Sequence, residues 1–217
     1  MYRIRWLICE MALLYGGVPL LALALARHAT VPLAAVIAPA LLMLLGWLHF
    51  LPGFTWRDLW RTSVNRAERS SILGWFAAIG TALTLYAHYW GPVSLLYMPR
   101  ERAGLWLLIL VAYPLLSVQA QEVVYRVFYF HRYAVLFRSR PVLGLLLNGL
   151  LFAHGHIIFG NWLAILLSFG GGVLFSWRYR RSGSYWAVVL EHSLYGCLIF
   201  TIGLGQFFHT PALLRLP

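Results

Sequence analysis

The chain has 217 residues, of which 61 % are hydrophobic and only 11 % charged, whereas a soluble domain carries about a quarter charged residues. Its net charge of +11 comes entirely from arginine, because lysine is absent. This balance excludes an ordinary soluble domain, and arginines in short segments between apolar runs read as topology signals and lipid-headgroup contacts, not as a nucleic-acid surface.

Taken in chain order, the apolar runs predict about seven membrane spans: Trp6–Ala26, Val31–Leu51, Ser71–Trp90, Gly104–Tyr133, Pro141–His156, Trp162–Trp177 and Ser184–Gly205. The first run does not read as a cleaved signal peptide, since a second apolar run follows it at once. Between the second and third runs, Thr55–Ser70 mixes Trp56 and Trp60 with arginines. It reads either as an amphipathic interfacial segment or as a plain loop. The fourth run is too long for one simple crossing. Pro114 marks a break in it, and the aromatic-rich half from Gln119 to Tyr133 is expected to bend toward the interface. In the sixth, Gly170, Gly171 and Gly172 are expected to let helices approach closely, with a substrate groove as the other reading. Cys9 and Cys197 lie far apart in apolar surroundings and read as packed thiols. The expected fold is therefore an all-α polytopic transmembrane bundle in one membrane domain, residues 1–217. Its N-terminal spans, residues 1–102, are less characteristic, and residues 103–208 hold the helices that carry the motifs described below.

Arginine placement gives an orientation. Twelve fall in alternate loops: Arg3, Arg5, Arg57, Arg61, Arg66, Arg69, Arg132, Arg138, Arg140, Arg178, Arg180 and Arg181. The opposite side holds only Arg27, Arg100, Arg102 and Arg215. This bias predicts a cytoplasmic N-terminus and a C-terminus on the far side.

Ionisable residues inside spans are costly, so each is a functional candidate. Glu122 and Arg126 are four apart and can share a helix face. They read as a structural ion pair or as a positioned carboxylate. His154 and His156 point to roughly opposite sides of their helix, so one of them can face the Glu122 helix, with His156 preferred and His154 in reserve. His192 stands alone among histidines in the last span. Glu191, next to it, is turned by about 100° on a helical wheel; it can pair with an arginine near the interface or join the site. A glutamate and two histidines at similar depth suit water activation and oxyanion stabilisation. A divalent metal at Glu122, His156 and His192 is the alternative. The compact His-Glu-x-x-His pattern is absent, which favours a metal-free site.

At these residues the chain resembles the CPBP family, which comprises CAAX prenyl proteases of the Ras-converting type and bacteriocin-processing (Abi-type) intramembrane proteases. The matching segments are Gln121-Glu122-Val123-Val124-Tyr125-Arg126, Phe152-Ala153-His154-Gly155-His156, and Ser184-Tyr185-Trp186-Ala187 leading to His192-Ser193-Leu194-Tyr195-Gly196. The resemblance implies an intramembrane endopeptidase acting on peptide or protein substrates at the bilayer, without a cofactor. In it Glu122 is base or its partner, Arg126 orients the carboxylate, and His156 and His192 hold water and the oxyanion. Two departures stand out. The first glutamate of the family's Glu-Glu-x-x-x-Arg motif is Gln121, which cannot accept a proton, and the asparagine of its last motif is Gly196. Either Glu122 has taken over as base, which needs a changed helix rotation or register, or the chain is a non-catalytic relative acting in bacteriocin immunity or protein interaction. The arginine-only, Trp-rich composition points to a bacterial inner membrane.

Overall fold

A computed structural model describes residues 2–28, 33–61 and 63–208. Val31, at the start of the second predicted span, and Arg215, counted for topology, lie outside the described residues. The described residues form helices and connecting turns, with no strand among them. In chain order the α-helices are α1 (Tyr2–Ala12), α2 (Val18–His28), α3 (Leu33–His49), α4 (Trp56–Arg61), α5 (Arg66–Trp90), α6 (Tyr97–Glu101), α7 (Ala103–Ala112), α8 (Gln119–Glu122), α9 (Tyr129–Arg132), α10 (Pro141–Gly155), α11 (Trp162–Ser182) and α12 (Tyr185–Thr201). Helix is the expected answer to an apolar sequence, because it satisfies every backbone polar group within its own segment.

Four described helical runs are long and apolar enough to cross a bilayer: Ile4–Leu25, Arg66–Trp90, Ala103–Arg132 and Pro141–Phe159. Helices α3, α11 and α12 cover the other three runs expected from the sequence. Large apolar side chains point outward, as lipid contact requires: Leu13 is 70 % exposed, Leu116 71 % and Trp162 68 %.

Three π-helical segments interrupt the long runs: Leu13–Gly17, Tyr113–Val118 and Val123–Phe128. Pro114, the expected break, lies in the second. A π turn inserts one residue into the i→i−4 ladder. Everything after it is rotated by about 100° relative to an unbroken α-helix, one residue's share of a 3.6-residue turn.

The chain divides into two compact units. The first comprises Met1–Asp58 with Val123–Trp177. Its core holds the rings of Tyr15, Tyr125, Tyr129 and Tyr133, with Tyr15 within 5.3–6.2 Å of the other three by ring centroid. Two successive carbonyls of the π segment find side-chain donors here. The Tyr15 hydroxyl donates to Val124 O at 2.7 Å and Asn148 Nδ2 donates to Tyr125 O at 2.6 Å. Without water, such partners are what make irregular backbone tolerable. Arg132 forks onto both oxygens of Glu10 at 2.9 and 2.6 Å, and the Tyr133 hydroxyl adds a third bond at 2.9 Å. Helices α10 and α11 meet backbone to backbone. A Cβ on Gly172 would fall 2.8 Å from Gly149 Cα and 3.0 Å from the Phe152 side chain. Of the three consecutive glycines, Gly172 is thus the one that close packing demands; a Cβ on Gly170 would meet open space.

The second unit comprises Leu59–Glu122 with Arg178–Pro217. Asn65 caps α5, its side chain accepting from Glu68 N at 2.8 Å, and Ser184 caps α12 through Ala187 N at 3.2 Å. Both are the residue types that satisfy the orphan donors of a first turn. Helix α12 packs along α5, with Phe76 and Tyr195 edge to face at 5.4 Å and Leu198 beside Gly80. Ala87, Ile202 and Leu204 form its apolar core.

Candidate active site

Two neighbours, Gln121 and Glu122, are candidates to reach the last helix. Glu122 ends α8, directly after the Tyr113–Val118 π segment. Its side chain is fully buried, and its Oε1 lies 2.6 Å from His192 Nδ1. Gln121 turns back along its own helix, Nε2 donating to Ser117 Oγ at 2.8 Å. The angle between adjacent helical residues is the same ~100° that one π turn adds. A π segment thus stands just before the helix turn from which Glu122 reaches His192.

His192 is 5 % exposed and sits in the middle of α12. A carboxylate only accepts, so Nδ1 carries a proton and donates it to Glu122. The opposite ring nitrogen, Nε2, lies 2.9 Å from the Tyr113 hydroxyl. From the sequence, His192 is expected to hold water or an oxyanion; its two ring nitrogens instead lie on protein groups. Tyr113 is not among the residues expected at the site, because a tyrosine within an apolar run carries no local signal. Below it, Gln119 accepts from the Tyr185 hydroxyl and donates to Pro114 O at 3.3 Å, tying α8 to α12 and to the π segment.

Glu191, the neighbour of His192, belongs to a different network. Arg178 binds it through two parallel bonds, Nε to Oε2 and Nη2 to Oε1, both 2.9 Å. The same guanidinium reaches Glu68 Oε2 at 2.7 Å. Of the two options the sequence leaves for Glu191, the structure takes the arginine.

The remaining candidates lie in the first unit. Arg126 is fully buried within the Val123–Phe128 π segment. Its guanidinium carbon stands 4.5 Å over the Phe152 ring and 5.4 Å from that of Phe175, while Nη2 donates to Gly172 O at 3.3 Å. Cation–π contacts of this kind hold a charge where water is scarce. His156 caps the C-terminus of α10, and its Nδ1 donates to Phe152 O at 2.7 Å. A carbonyl only accepts, so this bond puts the proton on Nδ1 and a lone pair on Nε2 in the neutral ring. His154 bonds Gly16 O through Nε2 at 3.2 Å. That bond joins α10 to the first π segment. Asn148 and Ser176, joined at 2.6 Å, are buried polar residues not expected from the sequence. Their presence in apolar runs was the available signal. Among the described residues, no group of three or more His, Cys, Asp or Glu converges as a metal site.

Residues 103–198 match the model of the type II CAAX prenyl endopeptidase Rce1-like family. The chain carries an Rce1-like domain. This match supports membership of the CPBP family and, at family level, a CAAX-type intramembrane protease. A search of curated proteins and one of solved structures gave no match. The Rce1-like segment contains Tyr113, Gln121, Glu122, Arg126, His154, His156, Glu191, His192 and Gly196. With its apolar helices, it makes this an integral membrane protein.

Proposed function

We propose that the protein is an active intramembrane endopeptidase that hydrolyses peptide bonds of membrane-associated peptides or proteins with water activated at Glu122. The observation that carries this reading is the buried contact of 2.6 Å between Glu122 Oε1 and His192 Nδ1. A carboxylate held by a neutral imidazole can take a proton from water and return it to the leaving amine. The proton taken from water stays on the Glu122 carboxyl, which is then uncharged in an apolar medium, until it passes to the leaving amine. His192 is in this scheme the partner that steadies Glu122. The family resemblance gives the other two roles. In that resemblance His156 is a water-binding residue and Arg126 a residue that orients a carboxylate. Gln121 takes no proton and supports its own helix. The substrate class is a peptide at the bilayer; nothing in the chemistry of these residues calls for a prenyl group.

Cleavage of membrane-tethered reporter substrates in reconstituted vesicles tests the reading. Glu122→Gln and His192→Ala should each abolish turnover, and dialysis against a chelator should leave the parent rate unchanged. Loss of activity on chelation would support the metal alternative. Parental rates in both variants would support the non-enzymatic reading, for which the engagement of both His192 nitrogens by protein groups is the favouring observation. The arginine bias supports a bacterial inner membrane with the N-terminus in the cytoplasm, which reporter fusions at each end would test.

A further inference from the structure

Gly196 lies one turn after His192 in α12, on the same face. A side chain there has no room. A Cβ built on Gly196 would lie 2.6 Å from the Tyr113 hydroxyl oxygen and overlap the carbons of the same ring. The space is filled from across the unit by the Tyr113 ring, which packs edge-on to Phe200 at 5.7 Å and to His192 at 5.9 Å. Its hydroxyl ends 2.9 Å from His192 Nε2. Tyr113 is also the first residue of the π segment that precedes Glu122. One short stretch of chain therefore delivers both groups that hold the imidazole: the phenol to Nε2 and the carboxylate to Nδ1.

We infer that Tyr113 is the positioning residue for His192, and that Gly196 exists to admit it. The chemistry is specific. With Nδ1–H committed to the carboxylate, the neutral ring presents a lone pair at Nε2, and a phenol O–H donates to it. Held at both ends, the ring can neither flip nor exchange its tautomer, so Glu122 keeps a partner of constant geometry. A phenylalanine would fill the same space and leave the ring held at one end only. An alanine at Gly196 would keep the phenol but push it away. Two unrelated substitutions therefore break one bond.

This inference rests on the endopeptidase reading for its consequence in turnover, but not for its geometry. The test has two arms on the full-length protein in nanodiscs. Nitrogen-15 NMR of the imidazole, assigned with His192→Asn, reads the bond itself. Tyr113→Phe and Gly196→Ala should each shift the Nε2 resonance, with the proton kept on Nδ1 and directed at Glu122. Tyr89→Phe, an exposed ring on α5, should shift neither. In the second arm, peptide cleavage should show about a tenfold lower kcat in both variants with KM unchanged, the scale of one hydrogen bond made in the transition state. An Nε2 resonance in Tyr113→Phe identical to the parent's would overturn the inference even if Gly196→Ala unfolds. So would a parental kcat in that variant. A parent that cleaves nothing would end the endopeptidase reading alone, since the NMR arm still decides whether Tyr113 holds His192.

Discussion

Glu191 and His192 are consecutive residues of one helix, both buried, and they meet opposite kinds of partner. Glu191 faces Arg178, whose guanidinium grips it at two points and Glu68 at a third. Arginine stays protonated at any accessible pH, and its planar fork matches a carboxylate. That network is fixed in charge and in shape. His192 faces Glu122 and Tyr113, and a neutral imidazole offers Glu122 a single N–H donor and no fixed charge. The difference teaches how a bilayer protein separates architecture from chemistry. A permanently charged partner makes a buried acid a brace; under the proposed function a neutral partner leaves Glu122 free to act as the base.

The comparison breaks if the two acids respond alike to substitution. The largest effect is expected at Glu122. Glu122→Gln keeps the side chain's shape and its acceptor for His192 Nδ1, so the thermal midpoint should hardly move. Turnover of a membrane-tethered substrate should fall by about 10²–10⁴-fold. A protein that unfolds instead would place Glu122 with the braces. At Glu191 the expectation reverses. Glu191→Ala strands some of the buried Arg178 charge and should cost about 3–5 kcal/mol, seen as lost thermal stability in detergent. Replacing Arg178 and Glu191 together by Met should recover some of that loss, because the uncompensated charge goes as well. No recovery would mean that the network does more than neutralise itself.

Smaller effects sharpen the same contrast. Asn148→Ala removes the donor to Tyr125 O, leaving a π-segment carbonyl to find another partner, at a cost of about 1–3 kcal/mol. Hydrogen exchange should rise locally at Val123–Phe128; unchanged exchange there would remove the support assigned to Asn148. Least of all, Asn65→Ala deletes the cap of α5 and should lower stability by about 1 kcal/mol with turnover intact.

Much of this was legible in the sequence for one physical reason. A charged or polar side chain in an apolar run is expensive, so Glu122, Arg126, Glu191 and His192 announce themselves against their surroundings. Tyr113 does not, because a tyrosine in an apolar helix is inexpensive and common. Gly196 misleads in a different way. Read along the chain it is a missing donor, and read in space it is the gap through which the Tyr113 hydroxyl arrives.

The sequence by itself determined the class of molecule. Apolar runs of bilayer length dictate helices, arginines mark the loops between them, and three weak motifs in order point to the family whose model covers residues 103–198. Only the tertiary structure decided the pairings. Which of Gln121 and Glu122 meets His192, and which acid takes Arg178, depends on helix rotation. For Glu122 that rotation follows the π turn at Tyr113–Val118, just before α8. The second π turn, at Val123–Phe128, is held by distant partners, Tyr15 and Asn148, and no window of sequence contains both that turn and the groups that stabilise it.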